Sequence, residues 1–267
     1  MFRPDHYAAR VPALAPYAAA LRAFHGGDDG AGIRLRSSLG EDEVLPAALF
    51  FRGGDDFLPF ERYALDLAQG RVLDLGAGTG VHSLELQRRG YDTLAVENCG
   101  ALVDLMRARG VHHVLRADFT MWCGPRFETV LMLMNGIGPT GTIAGLDRFL
   151  WHARRFVTDD GQLIIDSAEA APECGESDQR WPDRGEYPGQ AWIDLEHDGA
   201  RGRPFRELYA DMETLRERAT RAGWVADVAF EEDGAFLVRL TPGSVGPSAG
   251  RPAVGSAARS AVRPRRR

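Results

Sequence analysis

The chain has 267 residues, 44% of them hydrophobic, enough for one α/β domain with additions or two small domains at most. Its formal charge of −6 is uneven, because no acidic residue follows Asp233 while six arginines (251, 259, 263 and 265–267) lie beyond residue 250. The body before them is therefore about twice as negative, a poor partner for a phosphate backbone. No apolar run approaches the roughly 18 residues of a membrane span, and MFRPDHYAARVPALAP lacks a signal-peptide core, so a cytoplasmic protein is expected. Every basic residue but histidine is Arg, which removes lysine Schiff-base and general-base chemistry.

The first 55 residues form a segment that could lie over a site as a lid. Within it GGDDGAGIRLRSSLGEDEVLP (26–46) reads as loop. DFLPFERYALDLAQG (56–70) reads as a helix feeding the strand RVLDL (71–75). A helix, GTGVHSLELQRRG, closes on Gly90; DTLAVE (92–97) is the second strand, ALVDLMRARG a helix ending at Gly110, HHVLRA (112–117) the third strand, and FETVLMLM (127–134) the fourth. LDRFLWHARRFV is an amphipathic helix before the fifth strand, GQLIIDS (161–167). This rhythm means right-handed crossovers and a parallel sheet covered on both faces. A polar, Pro/Gly-broken insert follows (170–207), with QAWIDLEHDGARGRPF as a hairpin around Asp198-Gly199. METLRERATRAGW (212–224) is helical, and VADVAFEE and GAFLVRLTP meet across Asp233-Gly234 as an antiparallel pair closing one edge. The main domain thus runs from 56 to 242. The stretch 243–267, rich in Gly, Pro, Ser, Ala and Arg, cannot bury a core and reads as a disordered tail. Cys99, Cys123 and Cys174 are far apart and form no CxxC pair, so reduced thiols are expected and no metal site.

VLDLGAGTG (72–80) sets an apolar strand against three alternate glycines and a helix start, a corner that offers backbone N–H groups and a positive dipole end to a ligand across the strand tips. Dinucleotides and S-adenosylmethionine both use such corners. The dinucleotide fingerprint needs a glycine three residues beyond Gly78, where Val81 stands, so an NAD oxidoreductase fails there. A carboxylate at Asp74 would repel a pyrophosphate and suits a ligand with an ammonium group. Glu97, at the second strand's tip, can accept both hydroxyls of a ribose.

These residues resemble the class I S-adenosylmethionine-dependent methyltransferases. VLDLGAGTG is similar to that family's first motif, with Asp74, Gly76, Ala77, Gly78 and Gly80; Glu97, followed by Asn98, matches its second. Asp118 and Phe119 in RADFTMW match the adenine position, and MLMNGIG, with Met134 and Asn135, falls where the fourth motif lies beside the methionine part. Two longer phrases, GTGVHSLELQRRG and MLMNGIGPTGTIAGLDRFLWHARRF…GQLIIDS, look like a bacterial group within it. The resemblance implies a Rossmann-like, doubly wound, mostly parallel seven-stranded sheet with an antiparallel C-terminal hairpin, S-adenosyl-L-methionine as cofactor, and methyl transfer.

In-line displacement at a sulfonium needs alignment above all, and a base only if the acceptor arrives protonated. The candidates near the methyl are Asn135, Asp166, Glu169 and His82. The D/N-P-P-Y/F tetrad of base-amine methylation is missing from MNGIG. Trp181, Tyr187 and Trp192 in the insert are candidates for an aromatic wall over a small-molecule acceptor. The alternatives are a protein or RNA methyltransferase drawing on the arginine tail, and a non-catalytic cofactor-binding protein of the same fold.

Overall fold

In the computed structural model, which describes residues 10–40, 42–168, 181, 187–232 and 234–243, the chain folds into two sheets. Helices α1 (Arg10–Ala13) and α2 (Ala15–His25) lead into strands β1 (Gly32–Ser37) and β2 (Glu43–Pro46) and a 3-10 turn, Ala47–Phe50. The stretch 26–46, expected as loop, therefore supplies two strands. The physical reason is a partner far along the chain. Ile33 and Leu35 point one way while Arg34 and Arg36 point the other, opposite Glu196 and Asp194 of a later strand.

The central domain follows, helix and strand alternating except between β5 and β6: α3 (Pro59–Asp66), β3 (Val72–Leu75), α4 (Val81–Arg88), β4 (Thr93–Glu97), α5 (Gly100–Ala108), β5 (Val114–Arg116), β6 (Phe127–Met132), α6 (Ile143–Ala153) and β7 (Val157–Ala168). Then come β8 (Gln190–His197), β9 (Ala200–Arg201), β10 (Phe205–Leu208), α7 (Met212–Arg221), β11 (Trp224–Glu232) and β12 (Ala235–Pro242). Helix starts are capped as their sequences ask: Thr142 Oγ1 accepts from the Gly145 N–H at 3.0 Å and Asp211 Oδ1 from the Thr214 N–H at 2.8 Å.

The larger sheet has seven strands in the order β11-β12-β7-β6-β3-β4-β5. The five from β7 to β5 run parallel, and β12 and β11 join antiparallel at one edge. All four residues of β3 are buried, as expected of a strand covered on both faces. The fourth strand stops at Met132, two residues before its apolar run ends, because Met134 and Asn135 enter left-handed backbone, with φ of 67° and 56°.

The smaller sheet, β10-β8-β1-β2 with β9 on β8, is antiparallel throughout. It joins the amino-terminal segment to the insert. The turn expected at Asp198-Gly199 is present, both residues having positive φ, 49° and 75°. Asp194, fully buried, accepts from Arg36 Nη1 at 3.1 Å and Arg201 Nε at 3.0 Å, and Arg36 Nη2 donates to Glu196 at 2.6 Å. Leu21, Ile33, Ile193 and Leu195 pack with Leu102 and Leu105 of α5, which seats this sheet against the larger one. Each such burial is worth roughly 1.5–3 kcal/mol.

Candidate functional site

Between the carboxyl ends of β3, β4, β6 and β7 and the apolar face of the smaller sheet lies a cavity of about 480 Å³. Gly76, Ala77, Gly78, Glu97, Asn98, Met134, Asn135, His82 and Asp166, all picked out from the sequence, line it together. Asp74, Gly80, Asp118 and Phe119 do not.

The glycine corner works differently from the simple expectation of free amides. Gly76 and Ala77 donate their N–H groups to Val96 O at 2.9 and 3.2 Å, Gly78 donates to Glu97 Oε2 at 3.2 Å, and Gly80 to Ala77 O at 2.7 Å. What the corner offers is proximity. Its three glycines have φ of 71°, 56° and 80°, and a Cβ on Gly76 would enter open space, so a ligand can lie directly on the backbone.

Asp74 lies beneath this corner. It is 2% exposed and accepts the Ser83 hydroxyl at 2.6 Å, and burial raises its pKa. It braces the turn against α4, so the expected partnership with a ligand's ammonium is not what its side chain makes. Glu97 does face the cavity, and its other oxygen accepts from the Cys99 N–H at 2.8 Å. Asp118 Oδ1 accepts from the Thr120 N–H and hydroxyl, at 2.8 and 2.6 Å, capping its own turn. Phe119 is buried edge-to-face on Phe149, with centroids 5.6 Å apart.

Asp166, 6% exposed at the end of β7, accepts from the amides of Asn135 and Gly136, both at 2.9 Å. Burial pushes its carboxyl up to about 6 against those two hydrogen bonds. The clamp holds the left-handed turn after β6. Both polar atoms of the Asn135 side chain are buried without a hydrogen-bond partner among the described residues, a state that costs on the order of 1–3 kcal/mol per group unless something fills it.

His82 is committed to the protein. Its Nε2 lies 2.7 Å from Glu61 Oε1 and its ring stacks on Phe57. Glu61, fully buried, also accepts from Arg52 Nε at 2.7 Å and from the Leu58 N–H at 2.9 Å. Burial alone would raise its pKa, but the hydrogen bonds from His82 and Arg52 prevail and hold it at about 2. Neither Glu61 nor Arg52 stood out in the sequence. The only trace was Glu61 three residues beyond Leu58-Pro59, the acidic position of a helix start. Arg52 lines the cavity, donates Nη1 to Leu49 O, and leaves Nη2 buried without a partner among the described residues.

The aromatic wall expected from the insert is built from other residues. Trp192 points away from the cavity, under the Arg206 guanidinium at 4.7 Å, because strand alternation sends Ile193 inward instead. Tyr187 donates its hydroxyl to Asp211 at 2.5 Å, and Trp181 buries its indole N–H outside the cavity lining. Tyr17, Phe50, Phe60, Phe205 and Tyr209 supply the aromatic surface. The amino-terminal part of the wall is tied to the glycine corner: Thr79 donates its hydroxyl to Phe50 O, and Arg109 Nη1 donates to Thr79 O at 2.6 Å while lying 4.6 Å over the Phe51 ring. Glu169, Cys174 and the arginine tail lie outside the described residues.

A parallel sheet with an antiparallel pair at one edge, a glycine corner after β3 and an acidic residue ending β4 is the fold of the class I S-adenosylmethionine-dependent methyltransferases, and this chain has it. No protein-family model and no curated protein matches the sequence. Solved structures do match. An S-adenosylmethionine-dependent methyltransferase from Bacteroides fragilis, in complex with S-adenosyl-L-homocysteine, is 28% identical with a TM-score of 0.75, over 87% of this chain and 96% of that one. The methyltransferase CcbJ from Streptomyces caelestis is 17% identical, with a TM-score of 0.57 over 70% of this chain and 91% of its own. The sugar N-methyltransferase KedS8 from Streptoalloteichus is 19% identical, with 0.53 over 77% and 96%. The last two speak for the fold alone.

Proposed function

We propose that the protein transfers a methyl group from S-adenosyl-L-methionine to a small-molecule acceptor. The observation that carries this reading is the bare Gly76 backbone opening, beside Glu97, into a cavity roofed by a second sheet. The residues present fit the cofactor: the Glu97 carboxylate suits the ribose hydroxyls, with Asn98 beside it. Arg52 Nη2, buried without a partner among the described residues, suits the methionine carboxylate. Met134 and Asn135 line the same cavity. When bound, the cofactor supplies an electrophilic sulfonium methyl. The chain's own part is to orient the acceptor against it and exclude water, which the roof of Tyr17, Phe50 and the smaller sheet favours.

The apolar face that the smaller sheet turns to the cavity also supports a small acceptor over a polymer. Among the described residues no helix is long and apolar enough to cross a membrane. The test is ligand-induced stabilisation. S-adenosylhomocysteine is expected to raise the melting temperature by mass action, and Glu97→Ala to abolish most of that rise. A rise with NADH and none with S-adenosylhomocysteine overturns the assignment.

A further inference from the structure

Tyr17 lies in the first turn of α2, a helix seated by its buried face: Ala20 and Leu21 are fully buried, and Leu21 packs with Leu102 of α5. The Tyr17 ring meets Phe50 edge-to-face with centroids 5.1 Å apart, and the Phe50 carbonyl accepts the Thr79 hydroxyl of the glycine corner. The phenol is thus held in place from two sides. A Cβ on Gly78 would stand 3.9 Å from the Tyr17 hydroxyl oxygen, so the hydroxyl ends above the corner, on the cavity wall. Among the described residues none hydrogen-bonds that hydroxyl. Burial first, and the charge of Glu97 after it, push the phenol's pKa up from 10, which keeps it a neutral donor at any working pH.

The chemistry of the cofactor says what such a donor meets. S-adenosyl-L-methionine brings ribose hydroxyls, which suit Glu97, an ammonium and a carboxylate. An ammonium has no lone pair to accept a phenol's hydrogen. The carboxylate is the charged acceptor, and a hydrogen bond to an ionised oxygen is roughly twice as strong as a neutral one. Arg52, whose Nη2 suits that carboxylate, is also one of the charges that act on the Tyr17 phenol, in the sense opposite to Glu97. Guanidinium and hydroxyl therefore serve one end of the site. Both come from the amino-terminal segment, and Arg52 is held there by Glu61 and the Leu49 carbonyl.

We propose that the Tyr17 hydroxyl binds the carboxylate at the methionine end of the cofactor, beside Arg52, so that the amino-terminal segment reads the amino-acid part of the ligand while the seven-stranded sheet reads its nucleoside. This rests on the methyltransferase reading and adds to it a cofactor-binding residue from outside the motifs. The test is calorimetric binding to the full chain near neutral pH with two probes, S-adenosylhomocysteine and S-adenosyl-3-thiopropylamine, which keeps the adenosine, the sulfur and the ammonium but has no carboxylate. The wild type is expected to bind S-adenosylhomocysteine at least about tenfold more tightly than the amine. Tyr17→Phe, which keeps the ring on Phe50, is expected to weaken S-adenosylhomocysteine about tenfold and to leave the amine where it was. An unchanged S-adenosylhomocysteine affinity in Tyr17→Phe, or a loss by the same factor for both probes, overturns the proposal. Should that variant fail to fold, the wild type still decides: equal affinity for the two probes means that no donor meets the carboxylate, and the proposal falls. A wild-type chain that binds neither probe is a separate result, which removes the methyltransferase reading and this inference with it.

Discussion

Glu61 sits fully buried in the first turn of α3 and divides its oxygens between His82 on one side and Arg52 with the Leu58 amide on the other. Its carboxyl is held at about 2, against an ordinary 4.5, so the pairing adds stability that is present above pH 4.5 and lost as pH falls toward 2. Replacing it, Glu61→Gln, leaves a guanidinium buried without an anion and is expected to cost about 3–5 kcal/mol in denaturant unfolding at neutral pH. Retention of full stability would show that the network does not form. Asp166 behaves in the opposite sense. Burial raises its pKa from 3.8 to about 6, so its favourable contribution is complete below pH 3.8 and is lost as pH rises through 6. Unfolding free energies measured across that window should show the wild type losing stability relative to Asp166→Asn as pH increases. A difference that does not change with pH would place the carboxylate in water instead.

The turn after β6 shows how one element sets the site. Met134 and Asn135 take left-handed backbone without being glycine, a strained state of about 1–3 kcal/mol each, and Asp166 holds it by taking two successive amides. The same turn needs Gly136 to be small, since a Cβ there would collide with the carbonyl of Met132. Gly136→Ala is therefore expected to destabilise the protein by at least ~1–3 kcal/mol, read as a lower denaturation midpoint, and to weaken S-adenosylhomocysteine binding through displacement of Asn135. A variant with wild-type midpoint and affinity would mean that the turn is more pliable than its hydrogen bonds suggest.

At the scale of the molecule the two sheets divide the labour. The seven-stranded sheet supplies the glycine corner, Glu97 and Asp166, while the smaller one roofs them with residues drawn from either side of the central domain. Because β1 is paired with β8 through Arg36, Asp194 and Glu196, the amino-terminal segment and the insert should open as one unit. Native-state hydrogen exchange is expected to show matching protection for 33–37 and 191–195, rising together when S-adenosylhomocysteine is added. Fast exchange in β1 beside slow exchange in β8 would separate them.

The central sheet was legible because its information is local. Buried strands such as VLDL and LIID read as short apolar runs, glycines mark the turns, and the spacing Asp74, Gly76, Gly78, Glu97 sits within one strand-helix-strand unit. The smaller sheet was not legible in the same way. GIRLRS looks like loop until Asp194 and Glu196, some 160 residues later, are set opposite its arginines. Which carboxylates face the cavity was likewise a matter of tertiary packing: Asp74 turned beneath the corner to Ser83, Asp118 to Thr120, and Arg52 and Glu207 came in from segments with no motif. Sequence alone determined the strand order's ingredients and the glycine corner; long-range pairing decided which side chains surround the cavity, because a side chain's direction depends on register and burial that no local pattern encodes.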